Sequence, residues 1–426
     1  MASNNNNKHF DDVFNDSKYV KRLPIVEINL DQPPSLRWMP LVNHKEIDHN
    51  SVIEFARSYA DDIFEYYGFP RITESKSFII LFIKSFVFTI FSIIAYNFTY
   101  YDDLIALAKI LRIPAGELFI GNILYEFLAG CTSFICINND DKLKRLMHVR
   151  TLDWPFIKLN KHSTHFIFKK NNRIVYENIG WPGQIGFMTS VSKGNFSISL
   201  NARYPTYKST FMSKLLTRLY IYLLLRNNIN ETEREVVTNM IDSTISSLLQ
   251  KFYSLLSFNA WTASSIIRYV CERNLNYEEC IEFLSTAKTI GPCYFIVAGP
   301  TRHQGAIIEK GYHHLRVHRI DESNHNFLIQ TNDDIDLINN ELFNESDKSS
   351  APVDFNSIDR YCNTYEYLLE HNASLSMSEA AHLITTSFKN KGVRMNMTLY
   401  AGIMLPYSFD NSIIAVKSTR CIGGNG

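Results

Sequence analysis

A cysteine and an Arg–Asp pair downstream of it are the residues in this sequence best suited to chemistry. Cys131 opens the segment CTSFIC, and Arg150 and Asp153 follow in the next strand-like segment. A thiol is a nucleophile and a free α-amine has a pKa of about 7.7–8, so an N-terminal cysteine carries a nucleophile and a base. The amine of Cys131 is free only after cleavage of the Gly130–Cys131 bond. The pattern therefore indicates an amide-cleaving site in a chain that must first cleave itself.

Two other interpretations of Cys131 remain open from residue types alone. A small buried cysteine beside a surface Arg–Asp pair would need no chemistry. A Cys131–His148 dyad would use the imidazole as the base.

If Arg150 and Asp153 share a strand, their spacing of three places the two side chains on opposite faces unless the strand ends between them. One could then stabilise the thiolate while the other holds the new ammonium group.

The composition argues against several classes of function. The 426 residues are 46% hydrophobic and carry 43 basic and 43 acidic side chains, which allows a large core and indicates no basic face for nucleic acid. The seven cysteines are an odd number, which favours reduced thiols or at most one or two bridges, such as Cys362 with Cys421. His314 and His318 could share a strand face, but no ligand-spaced Cys or carboxylate joins them. The sequence thus predicts neither a metal nor a cofactor.

One apolar segment is long enough to raise the question of a membrane. It spans residues 78–96 and is interrupted by Lys84. We therefore expect a buried or membrane-surface helix here in preference to a spanning one. The first residues lack the apolar stretch of a secretory signal, so the sequence alone leaves the compartment open and a cytoplasmic location possible.

The hydrophobic patterning predicts an α+β architecture. Residues 1–22 are expected to be disordered, residues 23–130 to be mostly helical, and a polar, acidic loop to cover 333–356. Strands are predicted at 25–30, 132–137, 147–153, 165–170, 173–177, 196–201, 294–298, 306–309, 315–320, 327–331, 397–404 and 413–417, with 196–201 half-buried. Helices are predicted at 47–67, at 104–111, at 115–127, through 210–290 and at 377–388.

Seven short motifs occur in the order typical of one known family. They are LRWMP at 36–40, NILYE at 122–126, CTS at 131–133, HVRTLDW at 148–154, GNFSISLN at 194–201, YFIVAG at 294–299 and QTN at 330–332. An eighth, Ile358-Asp359-Arg360, resembles the start of the D-R-R motif of the same family. On these motifs the chain resembles the acid ceramidase and N-acylethanolamine-hydrolysing acid amidase family of N-terminal-nucleophile hydrolases.

The resemblance implies a fold, an activity and five site residues. The fold would be a four-layer αββα sandwich, with a mostly helical α-subunit region over 23–130 and a catalytic β-subunit over 131–426. The activity would be self-cleavage before Cys131 and then hydrolysis of a lipid N-acyl amide such as ceramide or an N-acylethanolamine, with both fragments remaining associated. Cys131 would be nucleophile and base, Arg150 and Asp153 would position it, Asn332 would donate to the oxyanion, and Arg360 would support the site.

The chain also departs from the family pattern. The family motif N-E-R is Asn201-Ala202-Arg203 here, so a carboxylate is missing near the site. Helix-forming residues over about 206–257 indicate an insertion. The missing signal departs from the lysosomal location that the resemblance implies. Ala202 and the missing signal motivate an alternative, an inactive, uncleaved homologue that binds lipid or a membrane surface. A third possibility is hydrolysis of a non-lipid N-acyl amide, as in the bile-salt and penicillin amidases of the superfamily.

Overall fold

Two β-sheets packed face to face form the centre of the computed structural model. The structure describes residues 13–14, 20–54, 85, 89–96, 98–123, 129–205, 210–224, 231–257, 259–321, 326–336, 355–409 and 412–418. A small apolar cluster, which includes Ile135, Tyr294 and Ile296, fills part of the space between the sheets. The sheets therefore pack through their inner faces.

The first sheet contains the strand that begins with Gly130. Its strands run in the order β1-β15-β14-β4-β3-β12, and β13 pairs with β3 in parallel. Their bounds are β1 Val20–Arg22, β3 Gly130–Asn138, β4 Leu146–Asp153, β12 Leu328–Gln330, β13 Ser374–Leu375, β14 Thr398–Met404 and β15 Ile413–Ser418. The neighbours of β3 are thus β4 and β12, which bring residues 146–153 and 328–330 to its two sides.

The second sheet has eight strands in the order β11-β10-β9-β8-β7-β6-β5-β2. Their bounds are β2 Ile25–Asn29, β5 Thr164–Lys170, β6 Arg173–Gly180, β7 Thr189–Ser192, β8 Phe196–Ala202, β9 Cys293–Ala298, β10 Gly305–Lys310 and β11 Leu315–Arg319. Asn171 and Asn172 connect β5 to β6 with φ values of 50° and 57°. Asparagine tolerates this left-handed conformation, which is why the pair predicts a hairpin.

Helices cover the outer face of each sheet. The bounds are α1 Pro34–Arg37, α2 Pro40–Asn43, α3 Tyr101–Leu111, α4 Ala115–Ile123, α5 Phe211–Leu224, α6 Glu231–Leu256, α7 Ala263–Glu272, α8 Tyr277–Thr286, α9 Ser357–Glu370 and α10 Met377–Thr385. Helices α7 and α8 pack on the second sheet, and α9 and α10 pack on the first. The layers therefore follow the order helix, sheet, sheet, helix, and the predicted α+β sandwich is confirmed.

Two of the outer helices begin with a capping box. The side chain of Ser376 accepts from the backbone N–H of Glu379, and the Glu379 side chain accepts from the N–H of Ser376, at the start of α10. Asn276 and Glu279 form the same arrangement at the start of α8. These caps fix where the two outer helices begin relative to the sheets that they cover.

Three expectations from the sequence are wrong or incomplete. The strand predicted as half-buried at 196–201 is β8, and every residue of it is buried because the strand lies inside its sheet between two packed layers. The expected disorder of 1–22 does not extend to β1, which pairs with β15. Helix α9 was not predicted, although Tyr361, Thr364 and Leu368 are buried at helical spacing.

Several predicted segments lie partly outside the described residues. The helix expected to end at 127 is described to Ile123, and most of the apolar segment 78–96 and Cys421 are not described. In the described residues no helix is long and apolar enough to cross a membrane. Helices α5 and α6, which contact each other, occupy the region predicted to be an insertion.

Candidate active site

The side chain of Cys131 lies between the two sheets and is fully buried. It is the second residue of β3, and its Sγ is 3.7 Å from the carbonyl oxygen of Leu200 on β8. Nη2 of Arg150 donates to Sγ at 3.1 Å, and Nη1 of the same guanidinium donates to the carbonyl of Met188 at 2.6 Å. A fixed guanidinium beside sulfur stabilises a thiolate and so favours nucleophilic attack.

Arg150 and Asp153 project from opposite faces of β4. Arg150 pairs with Ser133, two residues after Cys131, and therefore shares the face between the sheets. Asp153 pairs with Gly130 and faces α9. The side chains of both are fully buried. The predicted opposite orientation agrees with this geometry, and the interpretation of a surface Arg–Asp pair is wrong.

Asp153 is held by hydroxyl groups and by one guanidinium. Its carboxylate accepts from the hydroxyls of Thr398 and Thr151 and lies 3.4 Å from Nη1 of Arg360. Burial raises the pKa of Asp153 above its usual range, although the charge of Arg360 and the hydrogen bond from Thr398 oppose that rise. The carboxylate is thus a buried anion that depends on its neighbours.

Asn332 holds the main chain on both sides of the Gly130–Cys131 bond. Its Oδ1 accepts from the backbone N–H of Cys131 at 3.0 Å, and its Nδ2 donates to the carbonyls of Ala202 at 2.9 Å and Ala129 at 3.3 Å. The backbone N–H of Asn332 in turn donates to Ser357 Oγ at 3.0 Å. Asn332 follows β12, which pairs with β3, and this pairing brings its amide to Cys131.

Arg360 connects the other groups from the helix side of the first sheet. It lies in the first turn of α9 and is fully buried. It donates to the carbonyl of Phe355 at 2.7 Å, to Thr132 Oγ1 at 2.5 Å and to Asn332 Oδ1 at 2.9 Å. Burial lowers the pKa of the Arg360 guanidinium, and Asp153 opposes that change. The structure therefore brings all five predicted site residues together.

The combined geometry suits the cleavage of an amide. A nucleophile is held by a cation, and the amide nitrogen of Cys131 is held by the oxygen of Asn332. If Ala129 and Gly130 moved away after cleavage, Nδ2 of Asn332 would lose its acceptor at the Ala129 carbonyl. One N–H of this amide would then be free to donate to another group. A donor at that place could stabilise the oxyanion of an acyl-transfer reaction.

Comparisons with known proteins find amidases and ceramidases that are similar to this chain. The model of the beta subunit of N-acylethanolamine-hydrolyzing acid amidase matches residues 21–72. An N-acylethanolamine-hydrolyzing acid amidase of Caenorhabditis elegans is 28% identical over 322 residues, or 72% of this chain and 74% of that protein. An acid ceramidase of Balaenoptera acutorostrata scammoni is 24% identical over 307 residues, or 68% and 64%. This chain is similar to the acid ceramidases and N-acylethanolamine-hydrolyzing acid amidases.

The resemblance stated from the sequence motifs is thereby confirmed. Among solved structures, the N-acylethanolamine-hydrolyzing acid amidase ortholog of Caenorhabditis elegans aligns with a TM-score of 0.46 and 22% identity. The alignment covers 66% of this chain and 98% of that one.

The protease-like dyad is not formed in this acid ceramidase relative. His148 pairs with Ile135 in the sheet, four residues beyond Cys131. Its two ring nitrogens lie 3.2 and 2.8 Å from the hydroxyls of Ser197 and Ser199. Burial, together with the nearby charge of Arg150, lowers the pKa of His148 to about 3. His148 is therefore a neutral, hydrogen-bonded core residue, and the Cys131–His148 interpretation is wrong.

The buried imidazole makes the stability of the fold depend on pH. The pKa of His148 falls from 6.5 to about 3 on folding, so the unfolded chain binds this proton first as the pH drops. Above pH 6.5 this residue should not change the free energy of unfolding. Between pH 6.5 and about pH 3 it should lower that free energy by about 1.4 kcal/mol for each pH unit. Urea unfolding at several pH values should show a shallower loss in His148→Gln, and equal slopes in both proteins would contradict the assignment.

The missing family carboxylate leaves a short side chain at the site. Ala202 contributes its carbonyl, which accepts from Asn332, and its methyl group cannot bond. The next residue, Arg203, points to the other side and binds Asp334 at 2.7 Å and Glu309 at 2.9 Å. These two carboxylates stabilise the end of β8, and the contacts of Arg203 do not include the residues around Cys131.

Sequence reasoning missed several polar residues that this family site uses here. Thr132 and Thr398 bind Arg360 and Asp153, and Ser357 binds the backbone of Asn332. Serine and threonine are too common to signal a role, and only the pairing of the strands and the packing of α9 show where these side chains point. Thr132 lies within the matched CTS motif, which is the one available signal.

The histidines weighed as metal ligands instead surround a carboxylate. His314 and His318 lie 2.5 and 3.5 Å from the oxygens of Glu309. Over the part of the chain that the structure describes, no group of three His, Cys, Asp or Glu residues could hold a metal ion. Cys362 is a free thiol, and its suggested partner Cys421 is outside the described residues.

An apolar cleft lies beside the guanidinium of Arg150. Met188, whose carbonyl accepts from Arg150, is part of its lining. The other apolar side chains that line it come from α3, α4, the loop between them and the segment before β7, namely Leu111, Ile113, Leu118 and Trp181. The cleft thus shares Met188 with the contacts of Arg150 and offers apolar side chains that an apolar chain could contact.

Proposed function

We propose that this chain is a self-processing cysteine amidohydrolase that cleaves the N-acyl amide bond of a lipid. The observation that carries the proposal is the pair of contacts at Cys131. Arg150 holds the sulfur, and Asn332 holds the amide nitrogen of the same residue. Such a residue can serve as nucleophile in the precursor and as nucleophile plus base after cleavage.

The first reaction would release the amine. The sulfur of Cys131 attacks the carbonyl carbon of Gly130, the C–S bond forms, and the C–N bond breaks. The thiol proton moves to the leaving nitrogen, which becomes the α-amine. Water then hydrolyses the thioester to the carboxylate of Gly130 and restores the thiol. No oxidant, metal or cofactor takes part in this balance.

The second reaction would repeat this chemistry on a substrate. The free amine of Cys131 accepts the thiol proton as sulfur attacks the acyl carbonyl, and it then protonates the leaving amine. Asn332 Nδ2 donates to the oxyanion, and Asp153 and Arg360 keep the new N-terminus in place. Water releases the acid from the thioester. The relatives named above hydrolyse acyl amides of ethanolamine or are ceramidases, which supports a lipid N-acyl amide.

Contacts between the two predicted fragments support their remaining together. Asp103 on α3 pairs with Arg268 on α7 at 3.1 Å, and both side chains are buried. Trp38 donates to the same carboxylate at 2.6 Å. The residues before and after Cys131 also contribute to a single apolar cluster. Separation of the fragments would expose this cluster and break the buried ion pair between them.

The second candidate function is an uncleaved homologue that binds lipid. It is favoured by Ala202, which removes a carboxylate from the family pattern, and by the full burial of Cys131. Such a protein would keep the apolar cleft and would bind vesicles without releasing a fatty acid.

N-terminal sequencing and a substrate panel distinguish these functions. The purified wild-type chain is held at acid and neutral pH with ceramide, an N-acylethanolamine or a small polar amide. We expect fragments 1–130 and 131–426, a new N-terminus that reads Cys-Thr-Ser-Phe, and fatty acid from at least one lipid amide. An intact chain that binds lipid vesicles without hydrolysis would favour the second candidate. Hydrolysis of the polar amide alone would indicate that the substrate is not a lipid.

A further inference from the structure

The hydroxyl of Tyr204 contacts the residue that precedes the predicted cleavage dipeptide. It accepts from the backbone N–H of Ala129 at 2.8 Å and donates to the carbonyl of the same residue at 2.9 Å. Both hydrogen-bonding groups of Ala129 are therefore tied to one phenol. Tyr204 lies two residues beyond the end of β8, so its position relative to the sheets is set by that strand.

An aromatic ring covers the next residue. A Cβ atom on Gly130 would lie 2.7 Å from Cδ1 of Phe355, so the ring packs directly on the glycine backbone. The rings of Phe355 and Tyr204 contact each other with centroids 6.2 Å apart. Residues 129 and 130 are thus confined by a hydrogen-bonding phenol and by a neighbouring ring.

The opposite side of the cleavage point is also held. Asn332 accepts from the N–H of Cys131 and donates to the carbonyl of Ala129. The only peptide groups between these two anchors are those of Gly130. Reactions between neighbouring groups are sensitive to such confinement, because a misplacement of about 1 Å can cost about 100-fold in rate.

We propose that Tyr204 is a positioning residue for self-cleavage, which holds Ala129 so that the carbonyl carbon of Gly130 stays within reach of the Cys131 sulfur. This inference rests on the proposed self-processing. Tyr204 contributes no proton to the balance: sulfur bonds to the Gly130 carbon, the C–N bond breaks, and the thiol proton goes to the amine. Its effect is to restrict the motion of the backbone before attack.

Position 202 carries no side-chain group that could hold residues 129 and 130 by a hydrogen bond. Ala202 offers only a carbonyl to Asn332. Arg203 binds Asp334 and Glu309, and Tyr204 is the residue whose side chain contacts Ala129. A phenol that is half-buried beside Arg360 and Phe355 can hold the precursor without a carboxylate.

Tyr204→Phe tests this inference because it keeps the ring and removes both hydrogen bonds. Precursor loss is followed by intact mass after the purified chain is brought to the pH at which wild type cleaves. We expect cleavage to slow by about 10- to 100-fold. Hydroxylamine, which intercepts a thioester, should not restore the rate, because the step affected is the attack that forms the thioester.

A matched control separates positioning from folding. Tyr277→Phe removes a buried hydroxyl on α8, on the outer face of the second sheet, and should cleave at the wild-type rate. The free energies of unfolding of the uncleaved Tyr204→Phe and wild-type chains in urea should differ by no more than about 1–3 kcal/mol, the worth of two typical hydrogen bonds. Equal cleavage rates in Tyr204→Phe and wild type would overturn this inference alone. A wild-type chain that never cleaves would overturn the proposed function as well.

Discussion

Replacement of Cys131 by alanine is expected to abolish both self-cleavage and lipid amide hydrolysis. Without sulfur nothing attacks the Gly130 carbonyl, and the α-amine that serves as base is never released. In other hydrolases, removal of the nucleophile costs about 10⁶-fold in turnover, so we expect fatty acid release to fall to background. Intact mass should show one chain of 426 residues at every pH tested.

Cys136→Ala is the matched control for that experiment. Cys136 lies on the same strand and is equally buried, but it packs in the apolar cluster under α9 and α10. Its loss removes a similar volume from the first sheet and leaves the contacts of Cys131 with Arg150 and Asn332 unchanged. We expect this variant to cleave and to hydrolyse substrate. Fragments from Cys131→Ala, or none from Cys136→Ala, would contradict the assignment of the nucleophile.

Replacement of Arg360 by methionine is expected to have the largest effect on stability. The change leaves Asp153 buried with only hydroxyl partners and removes donors from Thr132, Phe355 and Asn332. Breaking a buried ion pair from one side costs about 3–5 kcal/mol. Urea unfolding at neutral pH should show a loss of that size, and self-cleavage should stop because Oδ1 of Asn332 loses the guanidinium that orients it toward the N–H of Cys131.

A double variant tests whether the loss of stability comes from the unpaired carboxylate of Asp153. Arg360→Met combined with Asp153→Asn replaces the carboxylate by a neutral group of the same shape. We expect most of the stability to return, while self-cleavage remains absent because neither group then orders the Cys131 main chain. If the single and double variants unfold at the same urea concentration, the ion pair is not the source of the stability.

Much of the site was accessible from the sequence because its residues lie in short, ordered motifs. Cys131, Arg150, Asp153, Asn332 and Arg360 each lie in a motif, and the structure links the other four to Cys131 through at most three contacts. The alternation of a strand also predicts the opposite orientation of Arg150 and Asp153. These positions could be predicted because each depends only on the local spacing within its own motif.

The predictions that failed concern features that are set by the layers packed against a strand or helix. The alternation in 196–201 suggested a half-buried strand, yet Ser197 and Ser199 are fully buried because their hydroxyls bind His148 between the sheets. Helix α9 begins at Ser357 after an Asn356 in the left-handed conformation, a start without the usual side-chain cap. Tyr204 gave no signal because its partners are backbone atoms 75 residues away.

Strands β1 and β2 have a consequence for how activation must proceed. Both precede Cys131, and they complete opposite sheets: β1 pairs with β15 of the first, and β2 pairs with β5 of the second. A chain that began at Cys131 would expose an edge of each sheet with unpaired backbone N–H and C=O groups. Such edges are templates for aggregation. The proposed cut would therefore be a nick within a finished sandwich, and the segment ahead of it would behave as a permanent subunit and not as a discarded propeptide.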